Sequence, residues 1–308
     1  MDLSARSQRV KEIAYSHGFF FCGIAKSGFL AEEAPRLESW LKENRNGTMQ
    51  WMENHFDKRL DTTELVPSSK SVVSMALNYF PAESQGDIDA PKVSKYAFGR
   101  DYHKVIKKKL KSMLKQLQGE FGAIEGRAFV DSAPVMDKAW AVKAGIGWMG
   151  KNTNIINKQN GSYFFLCELI IDLELKEDGA TKDYCGTCTR CLDACPTGAL
   201  YAPYKLDATK CISYLTIELK EKIPAEFQNK MEGWAYGCDI CQEVCPWNRL
   251  SKQHHIPEFD PKNQLLNMSS GEWEEMTHEI FDDLFQGSAV KRAGFEKLKQ
   301  NIQFIKKA

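Results

Sequence analysis

C-G-T-C-T-R-C-L-D-A-C-P at residues 185–196 and G-C-D-I-C-Q-E-V-C-P at 237–246 decide how this chain is read. The first block is C-x2-C-x2-C-x3-C-P. That spacing wraps three thiolates around one face of an iron–sulfur cube and sends the fourth cysteine to a second cube. The second block supplies C-x2-C-x3-C-P, and the isolated Cys211 stands in for its missing upstream ligand. Eight cysteines thus form two sets of four. Cys185, Cys188, Cys191 and Cys245 form one, and Cys195, Cys211, Cys238 and Cys241 the other. Structural zinc prefers paired C-x2-C or Cys/His ligands rather than a triple with a Cys-Pro exit. Disulfides need an oxidising compartment, and nothing in the sequence indicates one. Two [4Fe–4S] clusters, and hence electron transfer, are the expectation.

The other two of the ten cysteines, Cys22 and Cys167, lie in the apolar runs FFFCGIA and YFFLCELII and read as buried core thiols. The 308 residues allow two modest domains or one with appendages. Lys+Arg and Asp+Glu both number 41, so net charge favours no polyanionic partner. The polar, helix-periodic N-terminus has no apolar signal region, and no run approaches the ~18 apolar residues of a membrane span. A cytoplasmic protein without a membrane partner is expected.

Upstream of the cysteines, helices and strands alternate. Helices are expected at 3–16 (Leu3, Val10, Ile13 and Ala14 inward), 31–45, 103–119 and from Pro134 to Ala144. Strands are expected at 19–25, 71–79, 126–130 and 162–175. Alternation favours an α/β layer. The helix at 103–119 carries Lys104, Lys107, Lys108, Lys109, Lys111 and Lys115 largely opposite its apolar side. A charge run of this kind usually faces solvent, with phosphate contact as the sharper alternative. Residues 145–150, G-I-G-W-M-G, match G-x-G-x-x-G formally. A dinucleotide fingerprint follows a strand and opens a helix; here a helix precedes and the polar KNTN follows. Residues 251–308 read as helical and peripheral.

Joined to V-D-S-A-P-V-M-D-K-A-W-A-V-K-A-G-I-G-W-M-G-K-N-T-N at 130–154, the cysteine run resembles the epoxyqueuosine reductases, cobalamin-dependent iron–sulfur enzymes of tRNA modification. D-K-R at 57–59, Y-A-F-G-R-D-Y-H at 96–103, C-I-S-Y-L-T-I-E at 211–218 and W-A-Y-G-C-D-I-C-Q-E-V-C-P-W-N at 234–248 extend the likeness to about residues 1–305. The resemblance implies an α/β fold: a cobalamin- and substrate-binding domain at 1–176, a bacterial-ferredoxin-like two-cluster domain at 177–250, and a short helical extension at 251–308. Longer members add a helical-repeat domain that helps grip tRNA; this chain resembles the short form.

The resemblance further implies a base-off cobalamin, cob(II)alamin at rest, reduced through the far and then the near cluster. The reduced cofactor removes the epoxide oxygen of epoxyqueuosine at the tRNA wobble base. The family's proton donor falls on Asp131. Asp131 is read here as standing before a helix N-terminus, whose dipole favours the carboxylate over the acid a donor requires. Arg59, Tyr102, His103, Lys151, Asn152 and Asn154 are polar candidates for cobalamin's amides and phosphate. Asp239 and Ile240 are candidates beside the near cluster; Leu166 and Leu215 either touch the cofactor or fill core. The partners expected are tRNA carrying epoxyqueuosine and a reducing protein of flavodoxin or ferredoxin type, with the chain a monomer. Phosphate contacts are sought on the 104–115 helix and on Lys291, Arg292, Lys297, Lys299, Lys306 and Lys307. Two other functions compete: a corrinoid reductase of a small molecule such as an organohalide, and a ferredoxin-like carrier without catalysis.

Overall fold

In the computed structural model residues 2–306 are described. In chain order, α1 (Leu3–Ser16), β1 (Phe21–Lys26), α2 (Ala34–Lys42), α3 (Phe56–Leu60), β2 (Ser71–Asn78), β3 (Lys92–Val93), α4 (Tyr102–Phe121), β4 (Gly126–Phe129), α5 (Asp137–Lys143), the pair β5 (Trp148–Met149) and β6 (Ile155–Ile156), and β7 (Phe164–Ile171) precede the clustered cysteines. The main sheet has the order β1-β2-β7-β4. Every pairing in it is antiparallel, so alternating helices and strands here build a mixed α/β layer without a parallel core.

Helices cover both faces of this sheet. Val10, Ile13 and Ala14 of α1 and Ile106, Leu110, Met113 and Leu117 of α4 pack on Ile24, Val73, Met75 and Leu169. Leu37 of α2, Leu60 of α3 and Ala139 and Trp140 of α5 pack on Val72 and Ile170 of the other face. Two covered faces explain why β2 and β7 are buried almost throughout rather than alternating. Cys22 and Cys167 are core thiols, as expected. Leu3, expected inward, is 43 % exposed, because the helix packs only from Ser7 onward.

Two boundaries differ from the sequence reading in ways that reach the site. α5 starts at Asp137, not at Pro134; residues 131–136 form a loop instead. Asp131 therefore neither caps that helix nor sits against its dipole. At the other end of α5, Gly145 takes a φ of 75° and leads into the β5–β6 hairpin. No helix follows G-I-G-W-M-G, and a Cβ on Gly147 would stand 2.1 Å from the Ile156 carbonyl oxygen. These glycines serve close backbone packing, not a nucleotide.

The cysteine segment is built of short pieces: α6 (Arg190–Asp193), a small hairpin of β8 (Leu200–Ala202) and β9 (Lys205–Leu206), α7 (Ile212–Ile217), β10 (Trp234–Tyr236) and α8 (Ile240–Glu243). β10 pairs in parallel with β3. The C-terminal helices α9 (Asn263–Asn267), α10 (Ser270–Glu274), α11 (His278–Leu284) and α12 (Phe295–Lys306) are not peripheral. Leu266, Trp273, Phe285, Leu298 and Ile302 share one apolar core with Val93, Ala97 and Phe98 on one side and Ala235 and Tyr236 on the other. Residues from all three expected domains thus meet in it.

Candidate functional site

Cys185, Cys188, Cys191 and Cys245 all line one cavity of about 210 Å³, with Tyr184, Trp247 and Lys151. The second set is deeper. Cys211 lies within electrostatic reach of Cys195, and Cys238 and Cys241 of each other and of Cys211. Cys241 also feels Cys191 of the first set, so the two groups are neighbours. Burial pushes the Cys191 thiol up to about 11 and Cys238 and Cys241 higher. Ligation therefore has to displace protons from these thiols. All eight are free of disulfides. The donor set fits two thiolate-held clusters.

Lys151 is buried, and its ammonium donates to the carbonyls of Gly186 (2.6 Å) and Cys188 (3.0 Å). It grips the loop of the first set. Trp148 donates its indole N–H to Cys185 Sγ at 3.4 Å.

Several other candidates are committed within the protein. The Arg59 guanidinium is buried and donates to the carbonyls of Met52 (3.1 Å) and Trp51 (2.6 Å). Asp239 is 1 % exposed and accepts from the Ser94 hydroxyl and the Lys95 N–H, anchoring the 94–95 segment to the second set. Asn152 donates to the Cys241 carbonyl at 3.2 Å and accepts from the N–H of Asn154. Leu215 is fully core, while Ile240 is a half-buried neighbour of that core. Asn154 approaches Cys241 Sγ at 4.0 Å, and Leu166 is half-buried at the sheet end.

Asp131 follows the end of β4 with a φ of 50°. Its side chain remains 59 % exposed. Oδ2 accepts from the Tyr102 hydroxyl and lies 3.1 Å from His103 Nε2. The other ring nitrogen of His103 lies 2.8 Å from Asp101, which also caps α4. A ring with a carboxylate at each nitrogen is satisfied as the imidazolium. Burial works against that charge, yet the hydrogen bonds of Asp101 and Asp131 outweigh it and set His103 at about 9. Burial likewise favours the protonated Asp131, but His103 and Tyr102 hold its carboxyl below the usual range. With both nitrogens engaged, His103 has no lone pair free for cobalt. Tyr102 stacks on Phe165, with centroids 4.2 Å apart, which fixes its hydroxyl.

Sequence reasoning did not single out Lys138. Its ammonium donates to the Thr153 carbonyl at 2.8 Å and lies 3.4 Å from Asn154 Oδ1, within electrostatic reach of Asp131 and Cys241. It stands in the D-K pair of the 130–154 motif, which was the available signal. A hydroxyl, amides and an ammonium around one open carboxylate suit a macrocycle bearing amide arms and a phosphate.

The cations proposed for tRNA divide. On α4, Lys104, Lys108, Lys111 and Lys115 are exposed and enter no ion pair among the described residues. In the tail, Lys291 pairs with Asp282, Arg292 with Glu218 and Lys306 with Glu274. Lys297 and Lys299 donate to the carbonyls of Glu221 and of Glu274 and Met276. Lys307 lies outside the described residues.

Residues 59–132 match the family described as epoxyqueuosine reductase QueG, DUF1730, and residues 184–248 a 4Fe–4S double cluster binding domain. An epoxyqueuosine reductase of Cellulophaga algicola is 56 % identical over 300 residues, covering 97 % of this chain and 98 % of the relative. The chain belongs to the epoxyqueuosine reductase family. A crystal structure of an epoxyqueuosine reductase with a tRNA-Tyr epoxyqueuosine-modified stem loop superposes with a TM-score of 0.87. It is 31 % identical and is covered over 97 % of this chain and 80 % of that one. A Bacillus subtilis epoxyqueuosine reductase, with its catalytic aspartate loop swung out of the active site, gives a TM-score of 0.86 at 31 % identity and the same coverage. Members of the family are oxidoreductases, and none of the described helices is long and apolar enough to cross a membrane.

Proposed function

We propose that this chain reduces epoxyqueuosine to queuosine at the wobble position of tRNA, with Asp131 as the proton-delivering residue. The observation that carries it is the open Asp131 carboxylate, held by Tyr102 and His103, with Lys138 in electrostatic reach of both that carboxylate and Cys241 and Cys211. Removing the epoxide oxygen as water consumes two electrons and two protons and leaves an alkene. Cobalamin, when bound, supplies a strongly reducing cobalt centre, fed one electron at a time through the two clusters. Tyr102, His103, Asp131, Lys138, Asn154 and Leu166 would hold it. Asp131 is open to solvent, and His103, 3.1 Å from it, holds the proton at Nε2 that replenishes the carboxylate. The wobble base has to leave its stack to reach the Asp131 carboxylate.

Electrons enter at the first set. Its cavity carries the exposed Arg190 and Arg249 at its rim, and Lys158 lies over the Tyr184 ring at 5.0 Å. A small acidic flavodoxin- or ferredoxin-type protein is the complementary donor. Reversing Arg190 and Arg249 to Glu slows turnover with such a carrier and leaves it unchanged with a small chemical reductant. The chain acts as a monomer in the cytoplasm. The small-molecule reductase and the passive carrier are the less favoured readings, because the family's named members act on epoxyqueuosine. Anaerobic reconstitution with iron, sulfide and cobalamin, followed by nucleoside analysis of epoxyqueuosine-containing tRNA, tests the proposal. Iron uptake without cobalt uptake or queuosine formation overturns it.

A further inference from the structure

The loop that carries Asp131 has an unusual closure at its base. Glu168 lies on β7 opposite Phe129, the last residue of β4, and Asp137 opens α5 where the loop ends. Glu168 is fully buried; Oε1 accepts from Ser74 at 3.1 Å, and Oε2 is buried without a donor. Asp137 Oδ1 is also buried without a donor. These two carboxyls are within hydrogen-bonding reach of each other. Two acceptors facing one another in a dry core need a proton between them. The Asp137 carboxyl also faces the backbone N–H of Asp131, whose left-handed conformation this contact helps to hold.

We propose that Asp137 and Glu168 form a proton-sharing clasp that positions the Asp131 loop, and that loss of the shared proton releases it. This rests on the reading of Asp131 as the reacting carboxylate; the clasp residues are positioning residues and act through it. The charges facing the pair are Arg59, Lys138 and Asp131, with the Cys167 thiol behind. The Arg59 guanidinium is directed at the Trp51 and Met52 carbonyls and the Lys138 ammonium at Thr153, so neither cation replaces the proton. Burial raises both acids, Asp137 to about 6 and Glu168 well beyond the usual carboxylate range. One proton therefore stays on the pair through neutral pH, and the clasp opens only on the alkaline side.

Hydrogen exchange of the loop, 130–137, in the anaerobic holoenzyme tests this across pH, with intrinsic rates divided out. Wild type should lose roughly tenfold protection in alkali as the loop opens locally. Glu168→Gln, whose amide donates permanently to Asp137, should keep its protection at every pH. Glu168→Ala should lose it at every pH, and its kcat should fall while KM for tRNA holds. An infrared carboxylic-acid band present in wild type at neutral pH should vanish in Glu168→Gln. PH-dependent loss that persists in Glu168→Gln, or a wild type without that band, overturns the clasp. Both readouts are independent of turnover, so an inactive enzyme with an intact clasp would count against Asp131 chemistry alone.

Discussion

His103 Nε2 stands 3.1 Å from Asp131 Oδ2, and its other nitrogen is held by Asp101. The open carboxylate and its proton source are therefore separate groups on separate elements, α4 and the loop after β4. Replacing Asp131 with Asn should remove turnover by about 10²–10⁴-fold, the usual worth of a positioned acid. Iron and cobalt contents should stay at wild-type levels. Full activity in this variant removes Asp131 from the chemistry.

The same pair sets a pH limit. His103 is raised from an ordinary value near ~6.5 to about 9. Its contribution to stability is thus complete below the ordinary value and lost as pH rises through about 9. Turnover supported by its proton should fall over the same upper limb. In the Glu168→Gln background, where the clasp does not titrate, the kcat/KM profile should bend near pH 9 with His103 present and not with His103→Gln; equal profiles would contradict the assignment.

Lys151→Met should leave the Gly186 and Cys188 carbonyls without their donor, at about 1–3 kcal/mol for each unsatisfied group. The first-set loop should then fail to close. Iron analysis should show roughly half the wild-type content, as one four-thiolate site of two is lost.

Trp148→Phe should remove the N–H directed at Cys185 Sγ. Hydrogen bonds to cluster sulfurs stabilise the reduced, more negative state. Potentiometric titration followed by electron paramagnetic resonance should find the first-set potential moved to a more negative value, with the second little changed.

Affinity for tRNA should depend on salt through α4 rather than through the tail. Each of Lys104, Lys108 or Lys111 that holds a phosphate should, on change to Ala, reduce the log–log salt slope by just under ~1. Lys291→Ala and Lys306→Ala should leave the slope unchanged, since their ammonium groups are already paired. Binding isotherms at a series of salt concentrations decide it.

Much of this was legible in the residues because the signals are local. The cysteine sets follow from spacing, and α1, α4, β2 and β7 from periodicity. What escaped depends on partners far along the chain. Lys151, Arg59 and Asp239 look alike as polar candidates, and only their carbonyl and amide partners show that they brace loops. The helical character of 251–308 was visible, but its packing partners at 90–98 and 234–236 were not, and so it read as peripheral. Pro134 pointed to a helix start, whereas the residues around it form the loop that presents Asp131. For the clasp one signal existed: Glu168 interrupts the otherwise apolar FFLCELII, and a lone acid in a buried strand needs a reason.

The parallel pairing of β3 with β10, with Asp239 seated between Cys238 and Ile240, has a practical corollary. Cys238 and Cys241 border the same short segment that fastens Ser94 and Lys95, and the chain runs on from there to Tyr102 and His103. Oxidative loss of a cluster held by the second cysteine set should therefore slacken the 94–103 segment itself, so air damage would abolish substrate recognition along with redox competence.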